Sequence, residues 1–378
     1  MRSKNILKLF ILFVALILLS SLAASADGEI AMPDEFESLA DELPDEVKES
    51  LPEGMLDSKS VGDTLREVLE PSYMLDAVGK MLGDEMTSAL TLACVLIGVT
   101  VISALTRALI SSAESATLSG AFRMCSSLAV FSAVIGAEVT QLYRCSDLLD
   151  SLGNLMGSMI PITGIVWAMG GNVTTASAGS ATLYTFLSIS ENLCSKTILP
   201  VCLVLTVVAL GSAVAPEMNL GGISGAVKKT YNFVIGLIMT LLVSVLGLQT
   251  TLTGSADSIG AKTAKMVSST VIPVVGGSVG ETLRSVAGSV EYIKSVFGIS
   301  SIVFIVFLVA PTLIGILLSR AIFIIVGGIA DMLGCDRESR LLGEISNIYG
   351  CMLGVVAMSS VMFILGLEIF VKSAVAIA

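Results

Sequence analysis

Two glutamates and one arginine fall inside long apolar stretches of this chain, where an ionised side chain is costly and therefore informative. Glu138 lies four residues before the end of an apolar run over 120–142. Glu368 lies three from the end of one over 348–371, and Arg320 late in one over 299–326. Two readings are open. Each charge marks a run end whose side chain snorkels to the headgroup region, or Glu138 and Glu368 line a polar opening near one face. A second set is made of prolines and glycines. Pro161, Pro273 and Pro311 fall within apolar stretches, with Gly164 after the first and Gly276 and Gly277 after the second. Proline leaves a carbonyl without its helical partner, and glycine permits close backbone approach. Gly153-x-x-x-Gly157 and Gly350-x-x-x-Gly354 open two further apolar runs with the spacing that suits tight helix contact.

Much chemistry is excluded. There is no histidine, which removes Ser-His-Asp and Cys-His catalysis and the commonest transition-metal ligand. The seven cysteines form no C-x-x-C pair. Cys145 and Cys194 both fall on the expected outer side, and spacing alone leaves their pairing open. No phosphate loop, zinc spacing, nucleotide fingerprint or nucleophile elbow occurs. No enzyme activity, cofactor or metal is therefore expected, and energy for any active transport must come from an ion gradient or a separate ATPase.

The elements that must position these residues are membrane helices. The chain is 54% hydrophobic and 14% charged, which rules out an ordinary soluble fold. Arg2, Lys4 and Lys8, an apolar run to Leu22 and Ala24-Ser25-Ala26 have the layout of a cleaved signal peptide over 1–26. An acidic extracytoplasmic segment follows over 27–86. Residues 27–85 hold 18 acidic and 4 basic side chains, whereas from Met86 onward the two signs balance. Nothing is basic enough for nucleic acid. Leu39, Leu43, Val47 and Leu51, then Leu65, Val68 and Leu69, recur at helical spacing. The segment is either a solvated acidic linker or a docking element.

Residues 87–378 form a polytopic membrane domain. Length and lack of charge predict about eight spans, near 87–106, 120–142, 152–170, 176–190, 198–215, 232–253, 299–326 and 348–371. The apolar stretch 267–279 around Pro273 is re-entrant or interfacial. Residues 159–164 and 271–276 resemble each other (Met-Ile-Pro-Ile-Thr-Gly and Val-Ile-Pro-Val-Val-Gly). A further proline follows each at similar distance, Pro200 and Pro311. This is either an internal repeat of the kind found in transporters or coincidence.

Lys262-Thr263-Ala264-Lys265, then Val271 to Gly277, then the Pro311 stretch resemble the stage III sporulation protein AE family of endospore-forming bacteria. The resemblance runs from about residue 87 to the end. It implies a multi-pass protein of the mother-cell membrane around the engulfed forespore. Its implied partners are the other products of its operon, including a secretion-type ATPase and ring-forming subunits, and a forespore membrane protein. The assembly resembles a secretion channel, with this subunit its permease-like part. The residues alone leave two rivals, an independent secondary transporter for a small solute and a non-transporting scaffold.

The eight-span reading, with the mature chain starting at Asp27 outside, places Lys228 and Lys229 in the cytoplasm and Ala378 outside. Single-cysteine labelling on a cysteine-free background checks this. Protection at position 378 with access at position 60 would show an odd number of spans.

Overall fold

The computed structural model describes residues 43–52, 54, 55, 57, 61–111, 116–169, 175–214, 221–242, 244 and 276–372. All regular structure among them is helical, in the order α1 (Asp45–Ser50), α2 (Val61–Val68), α3 (Pro71–Ser111), α4 (Ala116–Met169), α5 (Thr175–Val214), α6 (221–242), α7 (Gly276–Met332) and α8 (Asp336–Lys372). The expected signal peptide and the segment around Pro273 lie outside the described residues.

Among the described residues, five helices are long and apolar enough to cross a membrane: Asp76–Leu109, Gly120–Val166, Tyr184–Val214, Gly288–Met332 and Asp336–Leu367. Eight spans were expected. The loops anticipated at 143–151 and 191–197 are helical, so two pairs of spans merge into α4 and α5. The polar residues there sit on one side only. Arg144, Asp147 and Asp150 are exposed, while Leu142, Cys145, Leu148, Leu149 and Leu152 continue a buried stripe at helical spacing. The span expected at 232–253 is described only in its first part, within α6.

Of the prolines expected to break helices, the two that are described do not: Pro161 and Pro311 lie inside α4 and α7, as Pro200 lies inside α5, and each helix continues through. A proline removes one backbone bond, which the remaining ladder of a helix this long tolerates when neighbours pack around it. Pro71 instead opens α3, the position where its missing N–H has no helical partner in any case.

The bundle is built around α7. In its most apolar window 78% of residues are buried, against 28%, 24% and 33% for α3, α4 and α5. Residues 299–310 are buried without exception, so this stretch is enclosed on every side. Its two serines stay satisfied inside the helix: Ser300 donates to the Val296 carbonyl and Ser301 to that of Phe297, both at 2.7 Å. α8 folds back along α7 through a tight turn. Gly334 takes φ +74 and its N–H bonds Asp331, while the Cys335 N–H bonds Ala330. That pairing is a Schellman termination, and glycine carries it without steric cost. α8 then starts with Asp336 and Glu338 in its first turn, where acidic groups favour the helix dipole.

The acidic segment is neither a plain linker nor solvated throughout. Leu43, Val47, Leu51, Met55, Leu65 and Val68 are buried in the main core, and α1 and α2 pack against α7. The helical stripe read from sequence docks on this same chain.

Two charged levels bracket a long apolar surface. Glu85 of α3 pairs with Arg144 of α4 at 2.9 Å, and Arg107 of α3 faces Asp336 of α8 at 3.9 Å. They are 22 residues apart on α3, about 33 Å of helix, close to the ~30 Å of bilayer hydrocarbon. Between and just beyond them Leu90, Ile102, Leu105, Leu109, Val207 and Ile324 present large exposed side chains. On the side of α5 and α6 the apolar surface runs further, with Ile189, Phe233 and Leu237 exposed. α4, at 54 residues, measures about 80 Å, so it stands well beyond one bilayer.

Replacing Leu65 by Asp is expected to detach α1 and α2 from α7, since burying a leucine contributes about 1.5–3 kcal/mol and a buried unpaired carboxylate costs more. Limited proteolysis should then cut within 43–68 while α3 onward stays intact. Unchanged resistance of that segment would contradict its docking.

Candidate functional site: ionisable groups seated between the helices

Antiparallel packing of α4 and α5 forms a seam with polar groups at matched heights. Glu138 on α4 is fully buried and accepts a hydrogen bond from Thr206 of α5, while its second carboxyl oxygen has no partner. Further along, Ser146 and Ser195 meet at 3.4 Å. Beyond them Glu191 of α5 is fully buried, and neither of its carboxyl oxygens is hydrogen-bonded. Ser359 of α8 faces Glu191 but lies outside hydrogen-bond geometry. Cys145, Cys194, Cys202 and Cys351 fill the space between; all are buried free thiols, so Cys145 and Cys194 form no disulfide.

Glycines make room for the charges. A Cβ on Gly153 would stand 3.5 Å from that of Glu191. One on Gly350 would stand 3.1 Å from the Arg320 guanidinium carbon. One on Gly315 would come within 2.9 Å of a Glu85 carboxyl oxygen and 3.2 Å of the Gln141 amide nitrogen. In each small-residue pair read from sequence, the first glycine is the one with a neighbour, although a Cβ on Gly153 would only make ordinary contact; Gly157 and Gly354 have open space beside them. At Gly315 and Gly350 a missing side chain on one helix seats an ionisable one on the next, which lowers the steric cost of keeping charge inside the bundle.

The expected site residues are described only in part. Of the two glutamates singled out, Glu138 is buried against Thr206, and Glu368 lies in α8 with its side chain outside the described residues. Pro161 is exposed, Gly164 and Pro311 are half-buried, and no structure near Gly164 fills the space a side chain would take. Gly276 and Gly277 begin α7, and Pro273 lies outside the described residues. Glu191, Glu85 and Glu338 were missed. For Glu191 a signal exists: Tyr184, Leu187, Glu191, Cys194, Ile198 and Cys202 form one stripe at intervals of three and four, and all are buried.

At the α7–α8 turn, Ser126 is hydrogen-bonded to Glu338 and lies 2.7 Å from Ser103. Burial raises the Cys335 thiol above its ordinary range; Glu338 adds to the rise and Arg107 opposes it. On the far side of α8, Lys228 of α6 bonds Glu344 at 2.8 Å, joined by Ser224 at 3.2 Å. Among the described residues no group of three His, Cys, Asp or Glu is placed to hold a metal.

What these features define is a helical membrane protein whose buried polar groups join helices. The family described as Stage III sporulation protein AE matches residues 59–374. The chain belongs to that family. It is similar to the stage III sporulation protein AE of Bacillus subtilis (strain 168), 20% identical over 228 residues, 60% of this chain and 57% of the relative. The alignment thus spans a little over half of that relative's length. No solved structure matches the chain.

Gly315→Val is expected to force Glu85 and Gln141 from their seat and to cost about 1–3 kcal/mol, the usual range for overpacking. Gly354→Ala, with open space around it, should stay within about 0.5 kcal/mol of the parent. Unfolding midpoints in detergent compare the two. Equal midpoints would remove the seating role of Gly315.

Proposed function

We propose that the chain is the multi-pass membrane subunit of a sporulation transport complex linking mother cell and forespore, and that it sustains forespore development after engulfment. It sits in the mother-cell membrane around the forespore, delivered by its signal peptide with residues 27–86 outside. Its partners are the secretion-type ATPase and ring-forming products of its operon and a forespore membrane protein. The observation that carries this reading is family membership over 59–374. The helices support it, because α4 and α7 are each far longer than a bilayer is thick and offer surface beyond the membrane for soluble rings to grip. Among the described residues α7 is enclosed by its neighbours over 299–310, which suits a subunit that works within an assembly.

Buried Glu138 and Glu191 favour a second reading, an independent secondary transporter for a small solute, since intramembrane carboxyls mark ion pathways in such proteins.

Removing the gene from the sporulating host is expected to let engulfment finish and then arrest the forespore, with heat-resistant spores lost and restored by the intact gene. Affinity capture of the chain from sporulating cells should bring the ATPase and ring subunits with it. Normal spore yield without the gene would end the complex reading. Solute accumulation by the purified chain alone in liposomes would favour the transporter.

A further inference from the structure

The Arg107 level of the bundle encloses a cavity of about 150 Å³ at the turn between α7 and α8. Its lining brings together three arginines from two helices, Arg107 of α3 with Arg337 and Arg340 of α8. Two carboxylates among the described residues, Glu338 and Asp336, also border it, which leaves the arginines in excess by one. Glu338 is turned inward, 5% exposed, and is hydrogen-bonded to Ser126. Asp336 is 59% exposed and meets Arg107 only at 3.9 Å, a contact of little strength in water. The first N–H groups of α8 have no partner within the helix and add positive potential at the same mouth. Arginine forks, a helix start and a pocket with room for about five waters match a phosphate diester, which arginine binds through paired hydrogen bonds.

The surroundings choose between a dissolved phosphate and a lipid. The cavity lies where the outer apolar surface ends. Leu105 and Leu109 of α3 flank Arg107 and are 62% and 74% exposed, and Met332 of α7 is 88% exposed. A headgroup in the cavity leaves its acyl chains to run along these side chains into the hydrocarbon. We propose that the cavity between α3, α4 and the α7–α8 turn binds the phosphate headgroup of an anionic membrane lipid. The lipid ties α8 to α3 across this turn. Asp336 competes for Arg107 and sets the affinity below its maximum.

The purified full-length chain in detergent tests this by thermal unfolding with added dioleoyl phosphatidylglycerol, dioleoyl phosphatidylcholine or inorganic phosphate. Phosphatidylglycerol is expected to raise the midpoint saturably, and phosphatidylcholine to leave it unmoved. Arg337→Gln with Arg340→Gln should weaken the phosphatidylglycerol effect about thirtyfold in concentration, the loss expected for two surface cations. Asp336→Asn should strengthen it several-fold, a gain that a merely damaged fold does not produce. Equal stabilisation by phosphatidylcholine would overturn the proposal. So would saturation by millimolar inorganic phosphate, an unchanged response in the double variant, or weaker binding by Asp336→Asn.

Discussion

Over residues 299–310 α7 is buried on every side, and packing against its neighbours holds it there, since lipid is as apolar as its side chains and supplies no hydrophobic drive of its own. The rest of the bundle is arranged around this stretch. α8 returns along it through the Gly334 turn, α3, α4 and α5 stand around the pair, and α1 and α2 cover part of its flank. The outer helices then carry the exposed leucines, isoleucines and valines that face lipid. The inner pair carries fewer, because its apolar surface is spent on protein contacts.

Enclosure makes charge expensive, and the bundle handles it in two ways. At the levels of Glu85–Arg144 and Arg107–Asp336 the charges are paired and reach water or headgroups. Inside, Glu138, Glu191 and Arg320 each stand beside a small or hydroxyl-bearing neighbour: Thr206, Gly153 and Gly350 respectively. In lipid, small residues let helices approach closely enough for packing forces to hold them. Here the same residues also fit an ionisable side chain, so close packing and buried polarity come from one substitution pattern. Interlocked polar contacts between α4, α5 and α8 oppose sliding of those helices in a way apolar contacts alone do not.

The length of the helices connects fold to role. A bilayer needs about 20 residues of helix, whereas α4 and α7 have 54 and 57. Seams between such helices run continuously from the membrane into the projecting part. A force or a bound partner at one end therefore acts on the same rigid elements that cross the lipid.

Sequence alone determined the class of structure. Apolar runs with few charges require helices in lipid, because only internal hydrogen bonding satisfies the backbone there. The helical spacing of Leu43, Val47, Leu65 and Val68 and the glycine pairs were legible, since each depends on neighbours three or four residues away. The family resemblance in 262–277 was legible too, and the match over 59–374 agrees with it. Tertiary structure decided what local patterns leave open. Whether Arg144, Asp147 and Asp150 mark a loop or the wet side of a continuing helix depends on which neighbour buries Cys145 and Leu149. Whether Pro161 and Pro311 break a helix depends on packing that supports the remaining backbone bonds. Glu191 and Gly153 are 38 residues apart in sequence and become a site only when α5 lies against α4. Span number, charge seating and the arginine cavity are all properties of distances between helices, and a one-dimensional pattern contains none of those distances.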